Sequence, residues 1–343
     1  MRIAIVNDTM MAVEGLRRLL VTATEHEVAW VAVDGEDAVK RCQQDIPDLI
    51  LMDLIMPVLN GIEATRQIMA ATPCPILIVT SSVEGRSAMV FEAMGVGALD
   101  VVKTPVLRGT GDLKDNIALL HKIKTIEKLT KPIPSHRVQK ISAQASFSVL
   151  HKHQPLVVIG SSTGGPSALA KVLSALPANF PAGIVIVQHI DAHFSYDLAE
   201  WLGTQCDLHV KIAEEGDCIT PGTVHLASTN DHLVMSSRGS LTYAPEPLEM
   251  AYRPSVDVFF ESVAAHWGGE ITAVLLTGMG RDGAAGLLSL CHKGVYTIAQ
   301  DEASCAVYGM PKAAAALNAA VDILPLGSIG ATLLKKYHKM AVC

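Results

Sequence analysis

Val157-Val158-Ile159-Gly160-Ser161-Ser162-Thr163-Gly164-Gly165-Pro166 decides how the second half of this chain is read. An apolar run ends in small residues. Pro166 and a helix-like stretch from Ser167 to Leu176 follow. The pattern predicts strand, tight turn, helix. Ser162 then stands at a strand's carboxyl end, beside a helix N-terminus whose free N–H groups favour negative charge. A serine so placed can act as a nucleophile with an oxyanion site beside it. The same geometry also suits phosphate binding.

Working outward, residues 155–343 form an α/β unit. Strands are expected at 155–159, 183–188, 208–212, 223–227 and 271–276. Helices are expected at 166–176, 195–204, 255–266, 283–291 and 328–338. Leu233–Met235 and Leu241–Tyr243 flank Ser236-Ser237-Arg238-Gly239-Ser240 and predict an added hairpin. Upstream, residues 131–153 carry Lys131-Pro132-Ile133-Pro134 and no sustained apolar period, so 130–153 reads as a linker.

Residues 1–129 alternate short apolar strands (Ile3–Val6, Val28–Val33, Leu49–Met52, Ile76–Val79, Leu99–Val102) with helices near 11–22, 36–45, 61–71 and 86–95. A last helix near 112–129 would face Leu113, Ile117 and Leu120 inward. Such alternation predicts a doubly wound parallel sheet covered on both faces. The fold class is therefore α/β, with two doubly wound domains.

Composition narrows the function. The chain has 343 residues, half of them hydrophobic and 18% charged, enough for two well-cored domains. A net charge of −7 argues against a nucleic-acid surface, which needs clustered Lys and Arg. The seven cysteines form no C-x-x-C pair and read as reduced, mostly buried thiols. MRIAIVND is not built like a signal peptide, and no apolar stretch reaches the ~20 residues that span a bilayer. The expectation is a cytoplasmic protein with no membrane insertion.

In the first domain Asp8 follows strand one and Asp53 strand three. Both stand at carboxyl strand ends, where sites gather in such sheets. Two carboxylates there can hold Mg²⁺. Thr80 ends strand four, and Lys103 lies near the end of strand five. An aspartate after a strand is more often a helix cap than a ligand; four suitable residues at four strand ends reverse that weighting. Val6-Asn7-Asp8, Leu51-Met52-Asp53-Leu54-Ile55-Met56-Pro57 with Asn60-Gly61, and Val79-Thr80-Ser81 resemble a response-regulator receiver domain of flavodoxin-like fold. The resemblance implies that Asp53 accepts a phosphoryl group from a histidine kinase. It also implies Mg²⁺ on Asp8, Asp53 and a carbonyl near Ile55, with Thr80 and Lys103 as switch residues. Two departures stand out: Asn7-Asp8 replaces the usual acidic pair, and Lys103-Thr104-Pro105 replaces Lys-Pro.

A serine nucleophile needs a base, and the base an orienting acid. Gln188-His189 ends one strand of the second domain, and Asp282 follows Thr277-Gly278-Met279-Gly280-Arg281 at the end of another. With thirteen histidines in the chain, His189 alone could be an ordinary buried histidine. Ser162 could be an N-cap, and Asp282 could cap helix 283–291. The shared strand ends favour a triad. Gly160–Gly165 fits neither G-x-G-x-x-G nor the Walker pattern, and G-x-S-x-G matches poorly.

Gly160–Gly165, Gln188-His189, Tyr252-Arg253-Pro254-Ser255-Val256-Asp257, Leu276–Gly283 and Tyr308-Gly309-Met310-Pro311 together closely resemble the chemotaxis-type protein-glutamate methylesterases, the CheB family. The resemblance implies a Rossmann-like catalytic domain that hydrolyses glutamate γ-methyl esters on methyl-accepting chemoreceptors, with deamidation of some glutamines. It makes Ser162 the nucleophile, His189 the base and Asp282 the orienting acid. Thr163, Met279 and Arg253 would belong to the oxyanion region and pocket. Hydrolysis would need no cofactor. The unphosphorylated receiver would restrain the enzyme. Two other readings are a non-enzymatic partner-binding module and a receiver-coupled esterase for small molecules.

Overall fold

The computed structural model describes residues 1–23, 25–80, 87–104, 116–127 without 118, 121 and 125, 154–190, 192–250 and 252–338. The chain divides into two compact units, Met1–Pro132 and Ile133–Cys343. The linker expected over 130–153 lies outside the described residues.

In the first unit β1 (Arg2–Val6), β2 (Glu27–Ala32), β3 (Leu49–Met52), β4 (Ile76–Thr80) and β5 (Asp100–Lys103) form one sheet in the order β2-β1-β3-β4-β5. All its neighbours pair in parallel. β3 and β4 are buried at every residue, because helices cover both faces. The side chains of Asp34 and Asn60 cap the helices Gly35–Gln44 and Gly61–Ala71, accepting from Asp37 N–H and Glu63 N–H. The strand order reverses between β1 and β3, so Asp8 and Asp53, which follow these two strands, both lie at the switch point.

The inward face expected for the last receiver helix is corrected. Leu119, Ile123 and Ile126 are buried, whereas Ile117 is 59% exposed; Leu113 lies outside the described residues. Two overlapping i, i+4, i+7 stripes run through this stretch, and the sheet selects the other one. The cysteine expectation is also corrected. Of the described cysteines, Cys42 and Cys74 are buried, while Cys206, Cys291 and Cys305 are half-buried and Cys218 is exposed; all are free thiols.

The second unit is a seven-stranded parallel sheet in the order β14-β13-β12-β6-β7-β9-β8. Its strands are β6 (Leu156–Ser161), β7 (Gly183–Gln188), β8 (His209–Ile212), β9 (Thr223–Leu226), β12 (Ile271–Leu275), β13 (Tyr296–Gln300) and β14 (Asp322–Leu324). β10 (His232–Met235) and β11 (Leu241–Ala244) form the separate antiparallel hairpin. The sequence reading missed β13, β14 and the helix Met310–Ala316. In β13 the fully buried Thr297 and Gln300 interrupt the apolar pattern. They are satisfied inside the protein: Thr297 Oγ1 donates to Ala319 O at 2.8 Å, and Gln300 Oε1 accepts from Thr277 N at 2.8 Å.

The core on one face gathers Val256, Phe259, Phe260, Leu287 and Met310 against Val158 and Leu275. Each large apolar side chain there contributes about 1.5–3 kcal/mol on burial. The order reverses between β6 and β12, which places the open crevice beyond Ser161 and Leu275.

Candidate active site

Ser162 is the first residue past β6 and is buried to 5% exposure. Its N–H donates to Thr277 O at 3.1 Å, and its carbonyl accepts from Gly165 N at 2.8 Å. This turn leads into the helix Gly165–Leu173, which carries Pro166 in its first turn. Ser161 has a different job. Fully buried, its hydroxyl donates to Gln188 Oε1 at 2.7 Å, while Gln188 Nε2 donates to the Ser162 carbonyl at 2.8 Å.

Two glycines allow this closeness. A Cβ on Gly165 would stand 1.9 Å from Gln188 Oε1. One on Gly278 would stand 2.8 Å from Ser162 Cβ and 2.2 Å from Met310 Sδ. The register Ser161↔Gln188 sets Ser162 and His189 side by side at the ends of β6 and β7, and His189 N–H donates to Ser161 O at 3.0 Å.

His189 Nε2 meets Asp282 Oδ2 at 2.7 Å, with both side chains buried. Asp282 takes three more hydrogen bonds, from Ser255 Oγ at 2.8 Å, Val256 N at 2.7 Å and Asp257 N at 3.1 Å. The carboxylate therefore sits on the N-terminus of the helix Val256–His266, where the dipole favours its charge. Burial works against that charge, but the His189 bond and the Val256 and Ser255 donors outweigh it, and Asp282 lies below the usual carboxylate range. With Nε2–H given to a carboxylate, Nδ1 is the ring nitrogen left to accept a proton. It is buried and has no hydrogen-bond partner among the described residues.

Asp257 is the counterpart. Burial first, and the Asp282 charge second, push its carboxyl up to about 8, although Gly286 N–H binds its Oδ1 at 2.7 Å. Glu261 is raised for the same two reasons. Of the pair Asp257 and Asp282, the negative charge thus rests on Asp282.

A folded-state value above the unfolded one means that the folded protein holds a proton which the unfolded chain has lost. That contribution is complete below about 4 and disappears as pH rises toward 8. Asp257→Asn keeps the acceptor for Gly286 and removes the titration. Thermal unfolding of the variant should then lose less stability than wild type between pH 6 and 9. Equal losses would exclude Asp257 as the source.

Of the other expected residues, Thr163 is buried, and its carbonyl accepts from Thr277 Oγ1 at 2.9 Å. Met279 is half-buried after Gly278. Arg253 is exposed and donates to Leu248 O at 3.3 Å. Sequence reasoning missed Tyr252, which stacks on His189 with ring centroids 3.9 Å apart and planes 8° from parallel. It also missed Ser255 as a partner of Asp282. Both lie in a motif quoted for resemblance alone; a serine opening a helix was the available signal for the cap.

In the first unit Asp53 is half-buried, with Oδ1 accepting from Leu54 N at 2.7 Å and Oδ2 from Asn7 Nδ2 at 2.9 Å. Asp8 is exposed and accepts from the Thr9 hydroxyl at 3.2 Å. Thr80 pairs in register with Lys103. Lys103 is exposed, and the buried Thr104 donates its N–H to Thr80 O at 2.8 Å. Among the described residues no group of three or more His, Cys, Asp or Glu could hold a metal. Mg²⁺, however, binds through one or two carboxylates plus water and phosphate oxygens, and Asp8 and Asp53 fit that count.

Asn7 presents an N–H to Asp53 where an acid would present oxygen. Asn7→Asp should therefore tighten Mg²⁺ binding in a calorimetric titration. Unchanged affinity would place residue 7 outside the metal's influence.

Residues 157–333 match the family described as CheB methylesterase, and residues 3–117 match the response regulator receiver domain. A protein-glutamate methylesterase/protein-glutamine glutaminase of Mesorhizobium japonicum is 53% identical over 98% of this chain and 98% of its own. One from Bordetella avium is 54% identical over 98% of this chain and 97% of its own. The crystal structure of the Thermotoga maritima CheB methylesterase catalytic domain aligns with a TM-score of 0.51 at 34% identity, covering 54% of this chain and all of that one.

Proposed function

Since the chain belongs to the CheB methylesterases that carry a response-regulator receiver domain, we propose that Ser162, His189 and Asp282 perform its protein-glutamate methylesterase and protein-glutamine glutaminase chemistry. The observation that carries the assignment is the buried His189–Asp282 bond at 2.7 Å, which leaves Nδ1 unpartnered among the described residues on a residue whose strand end lies in register with that of Ser162.

Ser162 Oγ attacks the ester carbonyl as His189 Nδ1 takes its proton. The imidazolium forms against Asp282, whose charge its cap donors already hold. Return of that proton releases methanol and leaves an acyl-enzyme; a glutamine side chain releases ammonia instead. Water then attacks with His189 again as base, freeing the glutamate carboxylate. The N–H groups of Ser162, Gly165 and Gly278 are already bonded within the protein. Thr163 and Met279 supply the N–H groups that this reading assigns to the oxyanion.

Asp53 is the phosphoacceptor in this reading, supplied by a histidine kinase. Asp8, Asp53 and the Ile55 carbonyl would hold Mg²⁺, which would supply charge neutralisation at the phosphoryl group. Thr80 and Lys103 are the switch residues, and the linker occupies 130–153. The substrates are methyl-accepting chemoreceptors, on which the protein acts from the cytoplasm. Among the described residues no helix is long and apolar enough to cross a membrane.

Methanol release from methylated receptor membranes, with and without acetyl phosphate, tests the whole reading. Release that acetyl phosphate stimulates supports it. Fluorophosphonate labelling of Ser162 without methanol release would point to a small-molecule esterase. Absence of both would leave a binding module.

A further inference from the structure

We propose that His232 is a positioning residue for the hydrolytic site. It pins the segment 247–255 at both ends and so holds Tyr252 on His189 and Ser255 on Asp282. The proposal rests on the triad reading above.

His232 opens β10 in the hairpin and is fully buried. Its Nδ1 accepts from Ser255 N at 3.1 Å, and its Nε2 meets Pro247 O at 3.0 Å. A backbone N–H can only donate and a carbonyl can only accept. The ring is therefore neutral, with its proton on Nε2. Both partners belong to one stretch, one five residues before Tyr252 and the other three residues after it.

The described residues of that stretch are in neither helix nor strand, and Leu248, Glu249 and Arg253 are exposed. Its other hydrogen bonds include Arg253 Nη2 to Leu248 O and Leu248 N to Glu246 Oε2 at 3.2 Å, while Ser255 opens the helix Val256–His266, its carbonyl accepting from Phe259 N and its hydroxyl from Val258 N, each at 3.3 Å. Yet it delivers the ring stacked on His189 and the hydroxyl that binds Asp282. A merely space-filling core position would be served as well by an aliphatic side chain. A histidine here matches one buried backbone N–H, of Ser255, and one part-buried carbonyl, of Pro247. The hairpin, outside the main sheet, thereby gains a role at the site: β10 is the fixed post to which the segment is tied.

The test measures kcat and KM for methanol release by the full chain carrying His232→Phe, His232→Gln, His232→Asn and Ser255→Ala, each followed by thermal unfolding. Gln offers an acceptor and a donor on one planar group at the end of a longer arm than Asn, and so is expected to match the two partners better. His232→Phe should lower kcat roughly 10–100-fold with KM changed less than about threefold, since misplacement of catalytic groups appears in turnover. His232→Gln should recover most of the loss and His232→Asn little of it.

Combined with Ser255→Ala, the effect of His232→Phe should be much smaller than its effect alone, because both act through one segment. If His232→Phe fails to fold, the order of Gln above Asn still decides. Wild-type kcat in Phe or Asn, a loss confined to KM, Gln no better than Asn, or additive losses with Ser255→Ala would overturn the proposal. Failure of the triad reading looks different: Ser162→Ala would keep turnover.

Discussion

Ser162→Ala should lower kcat for methanol release by roughly 10³-fold or more, with thermal unfolding close to wild type. The prediction follows from what the hydroxyl does not do. Ser162 holds its turn through backbone groups: its N–H binds Thr277 O, and its carbonyl binds Gly165 N and Gln188 Nε2. Removing Oγ leaves all three in place.

Ser161→Ala should reverse the pattern. It deletes the buried bond to Gln188 Oε1 and strands that oxygen, at a cost of about 1–3 kcal/mol in stability. Its turnover should change far less. The adjacent serines thus separate chemistry from scaffold in one assay pair, with methanol release giving kcat and calorimetry giving Tm. Comparable kcat losses in both variants would remove the distinction, and wild-type turnover in Ser162→Ala would end the nucleophile assignment.

The sequence made the two sheets legible because buried parallel strands are short and almost wholly apolar. Leu49–Met52 and Gly183–Gln188 are found at their expected bounds. β13 escaped because Thr297 and Gln300 are polar and fully buried, and only the folded chain shows their partners, Ala319 and Thr277. The positions of Ser162, His189 and Asp282 at strand ends were readable from apolar runs that stop at small or polar residues.

What the sequence could not give is which nitrogen of His189 meets Asp282, or that the Asp282 charge rests on a helix N-terminus some 26 residues upstream. Tyr252 on His189 and His232 on Ser255 were hidden for a related reason. Both act from segments without a regular period, or across a hairpin, where spacing carries no information about contact. The stripe chosen by the last receiver helix was undetermined because Leu119 and Leu120 are adjacent, and only the sheet beneath decides which of them turns inward.

Asp53→Asn should abolish stimulation by acetyl phosphate altogether while leaving the basal rate of the full chain unchanged. The substitution is close to isosteric. An amide oxygen can still accept from Leu54 N, so the β3 end keeps its shape, but no carboxylate remains to attack phosphorus. The wild-type chain has that nucleophile at the reversal of strand order between β1 and β3, with the Asn7 amide already on Oδ2. A phosphoryl group there adds about two negative charges and three acceptor oxygens, and β4 ends on Thr80 within the same crevice. Reorganisation around that charge biases the receiver between two states, and the enzyme responds only if one state restrains it.

A fragment covering 154–343 therefore supplies the second half of the test. It contains the full seven-stranded sheet and its own core, and should ignore acetyl phosphate. If the receiver restrains the enzyme, the fragment turns over faster than the unphosphorylated full chain on the same receptor membranes. If the fragment is slower, the receiver activates or recruits rather than restrains. If Asp53→Asn still responds to acetyl phosphate, the phosphoryl group is accepted elsewhere and Asp53 loses its role.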